Sequence, residues 1–163
     1  MPLTPFHLGA GLFFGSLTLR FFNLWAILLG SVVMDIEPTI LLFIGRCYQC
    51  PHHGFFHSIL GAIFGSLILA SILWIFRDKL NRISFKFKIS QSFSFPALFF
   101  SSFLAWLIHI FFDSLTHSDV YLFWPLKQNP ILIGPQIYWP LSYILLILGI
   151  IGFILIYRHY ARH

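Results

Sequence analysis

Charge is what this sequence has least of. Only 9% of its 163 residues are Asp, Glu, Lys or Arg, against roughly 25% in soluble domains. That balance excludes an ordinary soluble domain. Acid is scarcer still: Asp35, Glu37, Asp78, Asp113 and Asp119 are the five carboxylates, against ten Lys and Arg. Cysteine is limited to Cys47 and Cys50, which leaves room for one local disulfide and no more. No internal repeat is evident. A basic n-region before the first apolar run is missing, and so is a cleavage site after it, so that run reads as a mature helix rather than a signal peptide.

Apolar length is present in excess. Hydrophobic residues make up 58% of the chain. Five stretches come near the ~20 residues that cross a bilayer: Pro5–Phe22, Asn23–Ile44, Phe55–Phe76, Phe95–Phe112 and Ile137–Tyr157. Lipid admits spanning helices or closed barrels, and continuous rather than alternating runs favour helices. The expected fold is all-α: a polytopic membrane bundle of about five transmembrane helices, forming one domain over residues 1–163. Two loops stand out, a basic one at 77–94 and a Pro/Gly-rich one at 118–136. In the second run Pro38 follows "MDIE" directly. Proline biases its preceding residue away from helical geometry, so the second helix is expected to break near Pro38.

The net charge of +5 does not point to nucleic acid, because it is sorted by membrane side. With five spans, Arg20, Arg77, Lys79, Arg82, Lys86, Lys88, Arg158 and Arg162 share one face, and Arg46 and Lys127 the other. The positive-inside bias then makes 77–94 a cytoplasmic loop and 118–136 an extracytoplasmic one. It puts the N-terminus outside and the C-terminus in the cytoplasm of a multi-pass plasma or inner membrane protein. Trp25, Trp74, Tyr138, Trp139 and Tyr157 fall near span ends, as interfacial aromatics do.

The same topology collects the unusual polar residues. His7 opens span one on the outer side. Asp35 and Glu37 lie toward the outer end of span two. His52, His53 and His57 open span three, and His109, Asp113 and His117 close span four. An aspartate at a span centre costs ~2.5–3.5 kcal/mol on insertion scales, and such residues mostly face a bundle interior and carry function. His53 with His57, and His109 with Asp113, are i,i+4 pairs that share a helix face. Imidazole with carboxylate suits zinc, and also manganese or iron. His7, Asp35, His53, His57, His109 and Asp113 are therefore the metal-ligand candidates for a divalent cation. The competing reading is a cluster that ties helices together by hydrogen bonds. His117 falls past the helix end, where interfacial solvation explains it equally well. Asp119 begins the outer loop, and His159 and His163 sit in a solvated tail. Cys47-x2-Cys50 is a weak metal signal with only one such pair, and reads as structural or incidental.

The segments "TPFHLG", "GSVVMDIEP", "HHGFFHS" and "HIFFDSLTHSDVYLFWPL" resemble, in order, the motif series of the YdjM-like membrane-bound metal-dependent hydrolases. The resemblance covers about Thr4 to Leu126. It implies His7, Asp35, His57, His109 and Asp113 as metal-site positions. Met34 stands where the family often has Pro, and Glu37 where many members have Asp. In the common "HRGxTHS" form His52 matches the first histidine; in a variant form His53 does. Helix spacing favours His53.

The expected function is a metal-dependent hydrolase at the outer membrane face. Its substrate would be a membrane lipid or a lipid-linked phosphoester. A metal-activated water would attack, with Glu37 or a spare histidine, His52, as the proton acceptor. A transporter or metal-binding carrier is the alternative, and a structural membrane protein with a polar interhelical cluster is the second. The oligomeric state is left open.

Overall fold

The computed structural model describes residues 4–43 and 53–162. Among them every regular element is helical, as expected. Helix α1 is Thr4–Leu17, α2 Leu24–Gly30 and α3 Ile36–Phe43; α4 is Ile59–Ile75, α5 Arg77–Lys86, α6 Phe95–Thr116 and α7 Tyr138–Arg162. Single 3-10 turns sit at Val33–Asp35, Phe55–His57 and Pro135–Ile137.

By length and composition, Phe95–Thr116 and Pro135–Ala161 can each cross a membrane, and α4 with α5 makes a third span if the pair, bent by 74°, counts as one. The count of about five is not reached on this measure, for local reasons. Helix α1 stops at Leu17; its 14 residues reach about 21 Å at 1.5 Å per residue, short of a core about 30 Å thick. The second run divides. Asn23 caps α2 by accepting from the Ala26 N–H, and α2 ends after Gly30, five residues before Asp35. The break near Pro38 is thus real but lies just upstream of it. Pro38 itself falls in the first turn of α3, where its missing N–H costs no helical bond. The expected short piece after the break is α3, and its Ile36, Ile40 and Phe43 are exposed. The basic 77–94 segment contains α5.

Small residues let the long helices approach. A side chain on Gly152 of α7 would run into the backbone of Leu12 and Phe13 in α1. Gly9 of α1 likewise abuts Leu145 and Gly149 of α7, so the two helices run parallel. Where lipid supplies no hydrophobic drive between helices, such backbone contact is a main source of association. The apolar core gathers Ala26, Ala62, Leu69, Leu73, Leu98, Trp106 and Ile110, between the two ends of the bundle. Trp106 rests on Gly65 and donates its indole N–H to the Phe56 carbonyl at 3.0 Å.

The ends differ in how they are tied. At one, the polar segment after α5 grips the start of α2: Asn23 donates to the Ser92 carbonyl at 2.8 Å, and Gln91 accepts from the Leu24 N–H at 2.7 Å. At the other, the 118–136 segment folds back on the C-terminus of α6. The Asn129 amide donates to the carbonyls of Ser114 and His117, both at 2.8 Å. The N–H groups of Ile133 and Gly134 reach the Leu115 carbonyl at 3.0 Å. These carbonyls would otherwise lack partners at a helix end.

Candidate metal centre

The site forms where α2 breaks, α4 begins and α6 ends. Asp35, His57, His109 and Asp113 each offer one donor atom, and these atoms all lie within 4.8 Å of one another. All four residues are buried. Four of the six predicted metal ligands thus meet at one point, from three segments of chain.

His109 is the best-defined member. Its Nδ1 lies 2.7 Å from the Ser31 carbonyl oxygen. A carbonyl only accepts, so Nδ1 carries a proton and donates. That leaves Nε2 to face two carboxylates, Asp113 Oδ2 at 3.0 Å and Asp35 Oδ1 at 3.2 Å. The break in α2 makes this possible. The Asp35 N–H turns to the Val32 carbonyl, not to Ser31 four residues back, so the Ser31 oxygen is available for His109. A helical continuation through Asp35 would have consumed it.

His57 repeats the pattern. Its Nδ1 is 3.4 Å from Glu37 Oε2, while Nε2 points toward Asp113 Oδ2 at 3.7 Å and Asp35 Oδ1 at 3.9 Å. The same Glu37 oxygen accepts from the Phe56 N–H at 3.2 Å. Gly54 permits this approach, because a side chain there would collide with the Glu37 carboxylate. An imidazole that donates one ring N–H to a carbonyl or carboxylate and turns the other nitrogen to a common centre is the usual arrangement of a metal-ligating histidine.

His7 and His53 flank this group. The His7 ring stacks on His109 at a centroid distance of 3.8 Å, and its Nε2 is 3.1 Å from the second Asp113 oxygen, Oδ1. His53 Nε2 lies 3.8 Å from Asp113 Oδ2. His52 and the Cys47–Cys50 pair lie outside the described residues.

The donor set fits a divalent cation. Bonds of about 2.0–2.1 Å in a tetrahedral site imply donor–donor edges of about 3.3 Å. The pairs above span 3.0 to 3.9 Å. Within the four-residue donor set, hydrogen bonding accounts for the His109–Asp113 contact and leaves other buried atoms unmatched. Asp35 Oδ2, His57 Nε2, Asp113 Oδ1 and both nitrogens of His7 are buried without an aligned hydrogen-bond partner. Buried polar atoms are rarely left so. The 3.1 Å contact of His7 with Asp113 is therefore an approach in distance only, with its angles wrong for a hydrogen bond. Two carboxylates this close also need positive charge between them.

Two residues mattered more than their sequence positions suggested. His117 is not simply solvated past the helix end. Its ring packs against His53 with centroids 4.8 Å apart, and burial pushes its pKa down to about 4, which keeps it neutral. Asp119 does not merely begin a loop. Its Oδ1 sits 3.0 Å from His53 Nδ1, and its Oδ2 accepts from the His53 N–H at 3.2 Å. The available signal was the H-S-D run directly after the fourth span.

A groove of about 410 Å³ runs beside the cluster between α3, α4 and α6, lined by Met34, Ile36, Ile40, Ile68, Ile72 and Trp106, with Glu37 among its walls. No curated protein and no solved structure matches the chain. A family model does: residues 1–162 match that of the YdjM inner membrane protein, and the chain belongs to that family.

Proposed function

We propose that this protein is a metal-dependent hydrolase of a lipid or lipid-linked phosphoester, working at the outer face of the membrane. The observation that carries the reading is the position of Glu37. It holds His57 in the donor cluster and also lines the apolar groove. A lipid chain lying in the groove would bring its head group to the cluster without leaving the bilayer. Ile40, Ile68 and Ile72 are exposed on the flank, which suits entry from the side.

Asp35, His57, His109 and Asp113 would hold the cation, zinc by donor type with manganese or iron as alternatives; His7 or His53 adds a further nitrogen. Once bound, the cation supplies a water of lowered pKa and a Lewis acid for the substrate oxygen. The Ser31 carbonyl and Glu37 fix which ring nitrogen each histidine presents. Glu37 is the acid that lines the groove, with a side chain about one-fifth exposed, and would take the proton released on attack. A phosphoester suits the site because its developing negative charge meets a centre rich in cation and N–H donors.

A carrier is the less favoured reading. Toward the opposite end the described core is Ala62, Leu69, Leu73 and Leu98, without a continuing line of ionisable groups. A pathway needs polar lining on both sides of a site. Purified protein, analysed for bound metal and assayed on lipid phosphoesters and lipid esters, tests the proposal. Bound metal with hydrolysis that Asp113→Ala abolishes is the expected result. Absence of metal, together with activity indifferent to Asp113→Ala, overturns it.

A further inference from the structure

We infer that the site takes a second divalent cation, held by His53, His117 and Asp119. This deepens the proposed function and rests on its first cation. The three residues each present a donor atom, and these atoms lie within 4.8 Å of one another. They form a group separate from Asp35, His57, His109 and Asp113.

Three observations go beyond proximity. His53 is buried, and neither of its ring nitrogens has an aligned hydrogen-bond partner. Its Nδ1 comes within 3.0 Å of Asp119 Oδ1, so the two atoms approach without the direction a hydrogen bond requires. Ligands around one cation do the same. Second, His117 Nε2 is also buried without a partner, and it belongs to the ring packed against His53. Third, the backbone under the trio is braced. Asp119 Oδ2 accepts from the His53 N–H, and Asn129 binds the His117 carbonyl. Asp119 braces through Oδ2 while its Oδ1 faces His53 Nδ1, and His117 is braced through its backbone carbonyl.

The two groups adjoin. His53 Nε2 is 3.8 Å from Asp113 Oδ2, while its Nδ1 faces Asp119. One imidazole therefore stands between the sites. This gives His53 a role distinct from that of His57, although the two are four residues apart. The second site is also the more open one: Asp119 has a side chain one-quarter exposed, whereas Asp113 is closed off. A cation there would meet the anionic part of a head group first and orient it toward the inner site.

Metal stoichiometry tests the assignment. The full-length protein in detergent is stripped, dialysed against Zn²⁺ and analysed for metal per chain. Two equivalents are expected for the wild type, and one for His117→Ala and for Asp119→Asn, with helical circular dichroism unchanged. One equivalent in the wild type, unchanged in both variants, overturns the second site and leaves the proposed function standing. Two equivalents retained in both variants also overturn it. No metal in the wild type overturns both readings together. Should the variants not fold, Co²⁺ titration of the wild type decides: two successive absorption phases support the second site, and a single phase ending at one equivalent rejects it.

Discussion

The two ends of this bundle hold opposite charges under opposite conditions. At the site end, Asp35, Asp113, His7, His53, His57 and His109 are buried and in mutual contact. At the far end, Arg20, Lys88 and Arg158 line an open pocket of about 920 Å³ with Ser16, Leu17 and His159. There the charged heads are exposed and can be solvated one by one. The lesson concerns what each set of charges must do to persist. Exposed basic groups need only water or anionic head groups nearby. Buried carboxylates need positive charge, aligned donors and a braced backbone, and a change at one of them is felt by all.

The sharpest way to break this contrast is Asp113→Ala. Asp113 touches His7, His53, His57 and His109, so its loss is expected to remove bound metal and lower hydrolysis by more than about 10²-fold, the upper range for losing only an outer-sphere partner. Retention of metal by elemental analysis would contradict it. Next is Glu37→Gln, which weakens the hold on His57 Nδ1 without changing shape. Metal affinity should fall about 10–100-fold, read by competition with a chelating dye, and turnover in the lipid assay should fall further, because the proton acceptor is lost as well. Gly152→Leu, at the α1–α7 contact rather than among Asp35, His57, His109 and Asp113, separates packing from chemistry. It forces α1 and α7 apart at a cost of about 1–3 kcal/mol, seen as a lower melting temperature, while metal per chain stays at the wild-type value. The smallest effect belongs to Arg20→Gln with Arg158→Gln. Exposed charges of this kind change stability by about 0.5 kcal/mol or less, and metal content should not change. A large loss of metal in that double variant would mean that the two ends are coupled.

Much of the site could be read from residue order. Rare polar residues in apolar runs, at i,i+4 spacing and on one side of a plausible topology, pointed to His7, Asp35, His53, His57, His109 and Asp113. Of these, Asp35, His57, His109 and Asp113 meet at one point, with His7 and His53 beside Asp113. The helical class followed from continuous apolar runs. The span count did not follow so directly, because hydropathy registers how long a run is apolar and not whether its backbone stays helical. Helix α2 stops at Gly30 inside a run with no proline or charge at that point. His117 and Asp119 were undervalued because spacing along one helix says nothing of a residue just beyond its end.

Composition and order decided that this chain lives in a membrane and that its ionisable groups must find one another, since isolated charge in lipid is too costly to keep. Only the tertiary structure decided the chemistry each group presents. The Ser31 carbonyl, freed by a helix break and 78 positions from His109, selects the ring nitrogen that faces Asp35 and Asp113. Glu37 does the same for His57 across 20 positions, through a gap that Gly54 leaves. The tautomer of a histidine depends on which acceptor lies against its other nitrogen, and that acceptor is chosen by how the segments pack.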